Sequence, residues 1–285
     1  MMLKKKKTLI SALLSAIFLY ACNPVSQTEK DKQINSGQSV TGQRPSDGTA
    51  FERPKDQYGL QYSVGNLGGK PVKLPPTIFA IWEYDDSPDT WGGTKEEMKE
   101  YKKRPRTYDS VIKSMSFKMR YTDGMLLEMY YQAPQTSAQQ YEMEHDRPDS
   151  PWLNIEFQSG KRYGTGDMNV YWRNIMSRPK NSSMSYYPTG QQIYSLHEYK
   201  LNNRSIHAPN RDLYVYWDKN NNVTTVLFCH DNKFGGRCKQ TFLLTPEIKA
   251  RAIVNYQRIH LKDWKLIQQR VRESIQPYII DQKQH

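Results

Sequence analysis

The chain has 285 residues, and its 41 Lys and Arg against 29 Asp and Glu give a formal net charge of +12. A basic chain first suggests nucleic acid as a partner, but beyond the first 21 residues its charges are scattered between aromatic residues, without a helix-turn-helix signal, zinc-finger spacing or arginine-rich stripe. Tyr, Phe and Trp make up 12% of the chain, which together with Val, Ile and Thr favours pleated strands over a helical bundle. We therefore expect a basic, β-rich protein that binds no nucleic acid and whose surface faces anionic lipid headgroups or an acidic protein partner.

The first 22 residues are typical of an export signal. Four lysines at positions 4–7 precede an apolar run over residues 8–19, which is shorter than the roughly 20 residues that a membrane-spanning helix needs. The tetrad Leu19-Tyr20-Ala21-Cys22 resembles the bacterial lipobox, and this resemblance implies removal of residues 1–21 and acylation of Cys22. An ordinary cleaved signal is the alternative interpretation.

The residue after the cysteine, Asn23, implies sorting to the periplasmic face of the outer membrane, with the inner membrane as the second choice. Residues 22–57 contain almost no apolar side chains and are predicted to form a disordered tether. As a flexible coil of about 35 residues, the tether has an end-to-end distance on the order of 30 Å. Residues 58–285 contain no second linker and are predicted to form a single β-rich globular domain.

The first half of the domain is predicted to hold a short strand, a turn, a buried strand and a long charged excursion with a short helix inside it. The glycine pair after Asn66 indicates the turn, and a β-branched and aromatic run indicates the buried strand. In chain order they are a short strand over residues 58–62, a turn over 66–70, a buried strand over 77–84 and a charged excursion over 85–106, which contains a short helix over 95–102.

The clearest local signal is a hairpin over residues 114–131. Apolar and polar residues alternate on both sides of Asp123-Gly124, and such a pair between two alternating runs is typical of a tight turn in which both residues have positive φ. The methionines of this hairpin are interpreted as core residues rather than as metal or redox ligands.

A polar run over residues 134–151 brings together Glu142, Glu144, His145 and Asp146. Carboxylates and imidazole are metal ligands, but the run lacks a recognised ligand spacing. We interpret it as a charged surface loop, with a metal site as the alternative.

The second half of the domain follows the alternation of strands until its last segment. Strands are predicted over residues 152–157, 168–175, 194–201, 213–217, 223–229, 238–244 and 248–256. The period then changes, because Leu261, Trp264, Ile267, Val271 and Ile275 recur at spacings of three and four. That spacing predicts an amphipathic helix packed on the sheet, and its mixed acidic and basic polar face differs from that of a lipid-binding helix.

With Cys22 assigned to the anchor, Cys229 and Cys238 remain as a pair for a single disulfide in an oxidising compartment. A zinc site built from both cysteines with His230 and His260 is the alternative. The sequence contains no nucleophile elbow, zinc-protease motif or paired Cys-x-x-Cys. We therefore predict that the protein is not an enzyme and uses no metal, cofactor or small-molecule ligand.

A series of short landmarks runs through the domain from residue 58 to residue 275. They are Tyr58-Gly59-Leu60-Gln61-Tyr62, Asn66-Leu67-Gly68-Gly69, Leu74-Pro75-Pro76, Tyr84-Asp85-Asp86-x-Pro88, Ser116-Phe117-x-Met119-Arg120-Tyr121, Asp212-Leu213-Tyr214-Val215-Tyr216, the two cysteines Cys229 and Cys238, and Leu261-x-Asp263-Trp264-x-x-Ile267. In their order and spacing, these landmarks resemble the periplasmic immunity lipoproteins encoded beside type VI secretion phospholipase effectors.

The resemblance implies an inhibitor that binds a phospholipase effector in the periplasm, covers or deforms its active-site entrance and so protects the cell's own membrane. A binder of this kind needs a rigid exposed patch with aromatic anchors and complementary charge. We predict that patch at Tyr84, Asp85, Asp86 and Trp91, and the alternative is that their loop only caps one end of the sheet. For the function as a whole, the alternative is a structural or assembly lipoprotein of the cell envelope or of a secretion apparatus.

Overall fold

The computed structural model describes residues 51–88, 94–101, 104–129, 136–180, 182, 184–202, 211–230 and 235–280. All of them belong to one compact unit. The anchor at Cys22, most of the predicted tether and Trp91 lie outside the described residues. Residues 51–57, at the end of the predicted tether, pair with the chain that follows them, since Lys55 forms a bridge with Gln61.

Antiparallel strands build a two-stranded sheet and a large sheet. Within the described residues the strands are, in chain order, β1 (Ser63–Leu67), β2 (Lys70–Leu74), β3 (Ala80–Tyr84), β4 (Ile112–Arg120), β5 (Met125–Leu126), β6 (Trp152–Gln158), β7 (Tyr186–Ile193), β8 (Leu196–Leu201), β9 (Arg211–Trp217), β10 (Val223–His230), β11 (Arg237–Thr245) and β12 (Ile248–Gln257). β1 pairs with β2, and the order along the large sheet is β3-β4-β6-β12-β11-β10-β9-β8-β7, with β5 paired to β4. The predicted class, an α+β fold of mostly antiparallel strands and hairpins, is confirmed.

The predicted C-terminal helix is also confirmed. The described helices are α1 (Lys95–Glu100), α2 (Ser137–Glu144), α3 (Met168–Met176) and α4 (Trp264–Ile275), and a 3-10 segment over Arg258–Asp263 leads into α4. The apolar side chains at spacings of three and four in this last segment are buried. Arg272 fixes α4 to the sheet by donating to the carbonyl groups of Leu243 and Leu244 at 3.0 and 2.7 Å. None of the described helices is long and apolar enough to cross a membrane.

Residues 58–62 were expected to form a short strand, but the first strand begins at Ser63 and only Gln61 of that run forms a bridge. Two later regions also differ from the prediction in type. Residues 168–175 were expected to form a strand but form α3, because Asp167 accepts from the Asn169 N–H at the N-cap and starts a helix there. Residues 134–151 were expected to form a charged surface loop but contain α2, whose first turn is fixed by a capping box between Thr136 and Gln139. In both regions a local cap decided the structure.

The hairpin around Asp123-Gly124 is present with a different turn and a short second arm. Arg120 pairs with Met125, so residues 121–124 form the connection. Of Asp123 and Gly124, both of which were expected to have positive φ, only Gly124 does, at +80°. The Asp123 carboxylate accepts the Met125 N–H at 3.2 Å and closes the turn. β5 is short because the chain after it pairs elsewhere, as the hydrogen bond of 2.8 Å from the Met129 N–H to the Thr77 carbonyl indicates.

The two faces of the large sheet differ in how far helices cover them and in the polarity of their side chains. On the face that α4 covers, here called the helix side, one cross-strand row runs through Met115, Phe157, Ala252 and Phe242, and all four are completely buried. On the opposite face, called the open side, α3 covers β9 and β10 through its apolar side chains, and α2 packs around Trp152. Between these helices, β4, β6, β12 and β11 present polar side chains.

The small sheet is fixed to the large sheet by its glycine turn. Gly68 has a φ of +57°, and a Cβ placed on it would lie 2.6 Å from the Lys249 carbonyl group of β12. The Lys249 N–H donates to the Gly68 carbonyl at 2.9 Å. Only glycine meets both the backbone conformation and the close approach at this position.

The two outer strands of the large sheet differ in regularity. The pairing of β7 with β8 breaks between Pro188 and Gln192, where Gly190 has a φ of +76°. At the other end, β3 keeps an unbroken register with β4 from Ala80 to Glu83.

Candidate partner-binding surfaces

The predicted patch begins at the end of β3 with Tyr84. The guanidinium group of Arg106 lies 4.0 Å from the centroid of the Tyr84 ring, and the hydroxyl donates to the Val64 carbonyl at 2.8 Å. Burial raises the pKa of Tyr84 to about 12, although the positive charge of Arg106 acts in the opposite direction. Tyr84 therefore links β3 to the small sheet, and its hydroxyl is occupied within the fold.

Asp85 is also occupied by contacts within the chain. Its carboxylate accepts the Lys161 N–H at 3.1 and 3.2 Å, and the Lys161 ammonium group donates to the Asp85 carbonyl at 3.0 Å. Gly160 lies against the same carboxylate, which a Cβ at that position would overlap. Asp85 thus ties the end of β3 to the 3-10 turn Gly160–Arg162 that follows β6.

Asp86 is the more accessible acid of the pair. Its carboxylate forms an ion pair of 2.6 Å with Arg106, and the side chain is 40% exposed against 9% for Arg106. Arg106 also donates to the Ser87 hydroxyl at 2.9 Å. The contacts of Tyr84 and Asp85 favour the interpretation that this loop caps the sheet, and a partner-binding role for the patch stays a prediction, carried best by Asp86.

A second candidate surface lies on the open side. The strand register places Lys118 beside Asn154, Asn154 beside Asn255, and Asn255 beside Lys239 in one cross-strand row. Gln257 and Arg237 stand opposite each other in the next row of the same face. These six residues are called the open band below. It crosses β4, β6, β12 and β11, the four strands left uncovered between α2 and α3.

The open band combines three cations with three carboxamides and contains no carboxylate. Asn154, Arg237 and Lys239 are exposed, and the other three side chains are half-buried. Within the described part of the chain, neither Arg237 nor Lys239 forms an ion pair. The band is therefore a strip of positive charge and amide hydrogen-bonding groups held on rigid backbone.

An aromatic wall borders the band at α2. The Tyr141 ring stacks on His145 at 4.5 Å and meets the edge of Trp152 at 5.3 Å. The Lys118 ammonium group lies 4.2 Å from the centroid of the Tyr141 ring and donates to the Tyr141 hydroxyl. A cleft of about 240 Å³ opens between this wall and the band residues of β6, β11 and β12.

Sequence reasoning missed the open band because its members come from four strands that are distant in the chain. Each polar residue alone looks like the outward half of an alternating strand, for example Asn154 in β6. The wall was missed for a different reason, since Tyr141 and His145 fall in the run that was interpreted as a loop. The sequence signal that could have found the wall is the capping box at Thr136.

The helix side holds a buried charged network around Asp212. The Lys200 ammonium group lies 2.7 Å from Asp212 and 2.9 Å from Glu198, and Arg258 pairs with Asp212 and donates to the Tyr214 hydroxyl at 3.1 Å. Burial acts to raise the pKa of Asp212, but the hydrogen bonds from Lys200 and Arg258 outweigh it, so the pKa lies below its usual value. These opposite charges are paired with each other and fix β8, β9 and the 3-10 segment together.

Tyr121, His260 and Asp263 also lie together on the helix side. The Tyr121 hydroxyl is 3.0 Å from His260 Nδ1 and 3.1 Å from the Asp263 carboxylate, and His260 Nε2 lies 2.9 Å from the Ser150 carbonyl. Burial raises the pKa of Tyr121 to about 12, and Asp263 acts in the same direction. The group resembles an acid–base relay, but Tyr121 and His260 are buried and join the chain before β6 to the 3-10 segment.

Cys229 and Cys238 form a disulfide between directly paired residues of β10 and β11, with their Cα atoms 4.0 Å apart. The bond leaves neither thiolate for the alternative zinc site. Among the residues that the structure describes, no three His, Cys, Asp or Glu side chains converge as metal ligands would.

Fold and surfaces together define an antiparallel α+β domain. One face of its large sheet is covered by α4, and the opposite face has an uncovered polar strip between α2 and α3. No protein-family model matches the chain, and no curated protein matches it. Two solved structures align with it. An immunity protein of the Stenotrophomonas maltophilia type IV secretion system is 13% identical, with 81% of this chain and 100% of that chain covered and a TM-score of 0.49. The iron-regulated outer membrane lipoprotein FrpD of Neisseria meningitidis is 11% identical, with 76% and 92% covered and a TM-score of 0.36. Similarities of this degree assign no function to the chain.

Proposed function

We propose that the protein is a lipid-anchored immunity protein that binds a phospholipase effector of a type VI secretion system in the periplasm and blocks it. The observation that carries the proposal is the open band, a polar surface beside an aromatic wall on a rigid sheet. Rigid surfaces with aromatic anchors and complementary charge are what protein inhibitors use, because little ordering is needed on binding. In this proposal the chain acts by occupying its partner, and its own residues catalyse no reaction.

The sequence landmarks support the kind of partner. Several of them occupy positions on which this fold depends: Gly68 lies against β12, Tyr84 bonds to β1, and Trp264 begins α4 and is buried. The resemblance to immunity lipoproteins therefore rests on residues that fix the fold, and it leaves the contact surface to be found elsewhere on the domain.

The anchor at Cys22 is part of the proposed mechanism. Acylation would hold the domain at the membrane whose phospholipids the effector attacks, and a tether with a reach on the order of 30 Å would keep its local concentration high there. The proposed location is the periplasmic face of the outer membrane.

A genetic experiment tests the proposal against the alternative of a structural envelope lipoprotein. If a lipase gene lies beside this gene, deletion of this gene should cause lysis only in cells that retain the lipase gene, and deletion of both genes should restore growth. Envelope defects that persist without the lipase would support the structural role instead. In solution, the purified protein should abolish phospholipid hydrolysis by that lipase at equimolar concentration, and undiminished hydrolysis would refute inhibition.

The Cys22→Ser variant tests the anchor separately. It should fold and inhibit the lipase in solution as the wild type does, yet protect cells less well, because its local concentration at the membrane is lost. Full protection of cells by this variant would show that the lipid serves only to direct the protein to its compartment.

A further inference from the structure

We infer that the open band is the docking surface for an acidic segment of the effector protein, an inference that rests on the proposed function. The band's three cations and three carboxamides lie in two neighbouring rows of one sheet face, where an extended or looped peptide can contact them together. In the predicted patch, by contrast, Asp86 is paired with Arg106, so the cations of the open band are the charges less engaged within the described chain.

The cations of the band differ from the other charges of the open side. Arg120 is occupied by Asp123 and by Glu144 at 3.3 Å, and Glu156, one row away from the band, lies 3.6 Å from Arg162. Arg237 and Lys239 have no such partner among the described residues and are exposed. No described carboxylate neutralises their charge, and a carboxylate from a partner would form a close pair of the kind that is strong where water is excluded.

The three carboxamides indicate a peptide rather than a simple anion. Asn154, Asn255 and Gln257 each present a donor and an acceptor, which match the carbonyl and N–H groups of a peptide backbone. Neighbouring strands are about 4.8 Å apart, so amides on adjacent strands can bond to successive peptide groups of a segment that crosses the sheet.

The shape of the surface favours a protein segment over a membrane. The cleft beside the aromatic wall holds about 240 Å³ and lies between the α2 end, with Tyr141, His145 and the acidic Asp146, and the strands, where Arg237 supplies the positive charge. A loop with acidic side chains can enter such a cleft, whereas a flat layer of lipid headgroups contacts the rims first. Tyr141, which is half-buried in the wall, supplies aromatic surface for the apolar part of the segment, and the buried Trp152 supports its ring from behind.

Two double variants of equal charge change provide the test. Arg237→Glu with Lys239→Glu alters the open band, and Lys262→Glu with Lys265→Glu alters exposed positions at the start of α4 on the helix side. The full chain in detergent, wild type and both variants, is titrated with the phospholipase effector that the proposed function assigns as its partner. The thermal unfolding midpoints of all three proteins serve as the folding control, because all four substituted side chains are exposed.

The band variant should lose affinity for the lipase on the order of 100-fold, and the helix-side variant should stay within about twofold of the wild type. A neutral variant, Asn154→Ala with Asn255→Ala, should lose about tenfold, since hydrogen bonds are lost without charge reversal. Equal losses in both charge-reversed variants would mean that binding follows net charge alone and would overturn the inference. Unchanged affinity of the band variant would also overturn it while leaving the proposed function standing.

A second titration separates the inference from the proposed function. If the wild type does not bind the lipase, the proposed function fails, and poly-L-glutamate is then used as the acidic probe on the same three proteins. A loss confined to the band variant supports an acidic polypeptide as the occupant, and equal binding by all three refutes it. Vesicles containing phosphatidylglycerol are the lipid control. A band-specific loss on vesicles, without one on lipase or poly-L-glutamate, would assign the band to lipid and overturn the inference.

Discussion

The helix side and the open side of the large sheet use the same strands for different purposes. On the helix side every inward residue of the central strands is apolar or belongs to a satisfied polar network, as the buried row through Met115 and Phe242 and the contacts of Asp212 show. On the open side the central strands carry exposed or half-buried amides and cations, among them Asn154 and Lys239. The helix side, together with the buried clusters under α3 and α2, therefore determines stability, and the uncovered open band is free to determine recognition.

This difference gives a direct expectation for mutagenesis. Substitutions of buried residues, on the helix side or under α3 and α2, should lower the free energy of unfolding by several kcal/mol. Substitutions of exposed residues in the open band should change binding and leave stability almost untouched. The following experiments test that separation, beginning with the largest expected effect.

Trp264→Ala should be the most damaging change. The Trp264 side chain is 2% exposed, and its indole N–H donates to the Tyr194 carbonyl at 3.0 Å. Loss of this side chain leaves a cavity and an unpaired carbonyl, which should cost about 3–5 kcal/mol in urea unfolding. Leu266→Ala, on the same helix but 40% exposed, is the control and should cost under about 1 kcal/mol. Similar losses for both variants would contradict the assignment of Trp264 to the core.

Asp212→Asn should rank second. It leaves Lys200 and Arg258 facing each other with only Glu198 to balance them, and it should cost about 3 kcal/mol at neutral pH. The pKa of Asp212 is lower in the folded protein than in the unfolded chain. Its stabilising contribution is therefore complete at neutral pH and is lost as the pH falls through the folded pKa.

The difference in unfolding free energy between wild type and Asp212→Asn should accordingly shrink below about pH 4. Asp146→Asn is the matched control, because the Asp146 side chain is 92% exposed, and it should change stability by under about 0.5 kcal/mol. A gap between wild type and Asp212→Asn that is independent of pH would show that the network stabilises through packing and not through charge.

Replacement of Cys229 and Cys238 by Ala should cost about 2–3 kcal/mol, because the bond closes a short loop in the unfolded chain. Reduction of the wild type with dithiothreitol should produce the same loss. If the double variant unfolds at the same denaturant concentration as the oxidised wild type, the disulfide does not stabilise the helix side.

Gly68→Ala should cost about 2 kcal/mol more than Gly69→Ala. Both glycines have positive φ, at +57° and +97°, so both variants carry backbone strain, but only a Cβ at Gly68 meets the backbone of Lys249. The difference between the two variants, measured by chemical denaturation, isolates the close approach of the small sheet to β12. Equal losses would show that the approach tolerates a methyl group.

Asn154→Ala should have the smallest effect on stability, under about 0.5 kcal/mol, because its side chain is exposed on the open side. Calorimetric unfolding of the variant beside the wild type measures this. A loss of unfolding free energy as large as that of Gly68→Ala would show that the exposed open-band residues also determine stability.

Sequence patterns predicted most of the helix side and little of the open side. Alternation predicted the strands β6 and β9 to β12, and the spacing of Trp264, Ile267 and Val271 predicted α4. These predictions succeeded because an element buried on one face has apolar residues at regular intervals. α3 was mistaken for a strand, since its apolar residues also fit a short buried run, and the cap at Asp167 was the discriminating signal.

The open band could not be read from the sequence for a physical reason. It depends on the order of strands in the sheet, and β6, which follows β4 after about 30 residues, pairs with the much later β12. Asn154 and Asn255 become neighbours only through that non-local pairing. For the predicted patch the sequence identified exposed chemistry at Asp86 but gave no sign that Asp85 is held by Lys161 and Gly160.

The irregular outer strand β7 has a consequence for behaviour at high concentration. An outer strand with a straight row of N–H and carbonyl groups can recruit a strand from another molecule and start aggregation. Pro188 has no N–H to offer, and the break in register that follows it bends the strand. Edge-to-edge growth of this sheet is therefore hindered at β7, and the four residues from Ala80 to Glu83 of β3, which pair regularly with β4, form the edge where crowded copies could associate through their strands.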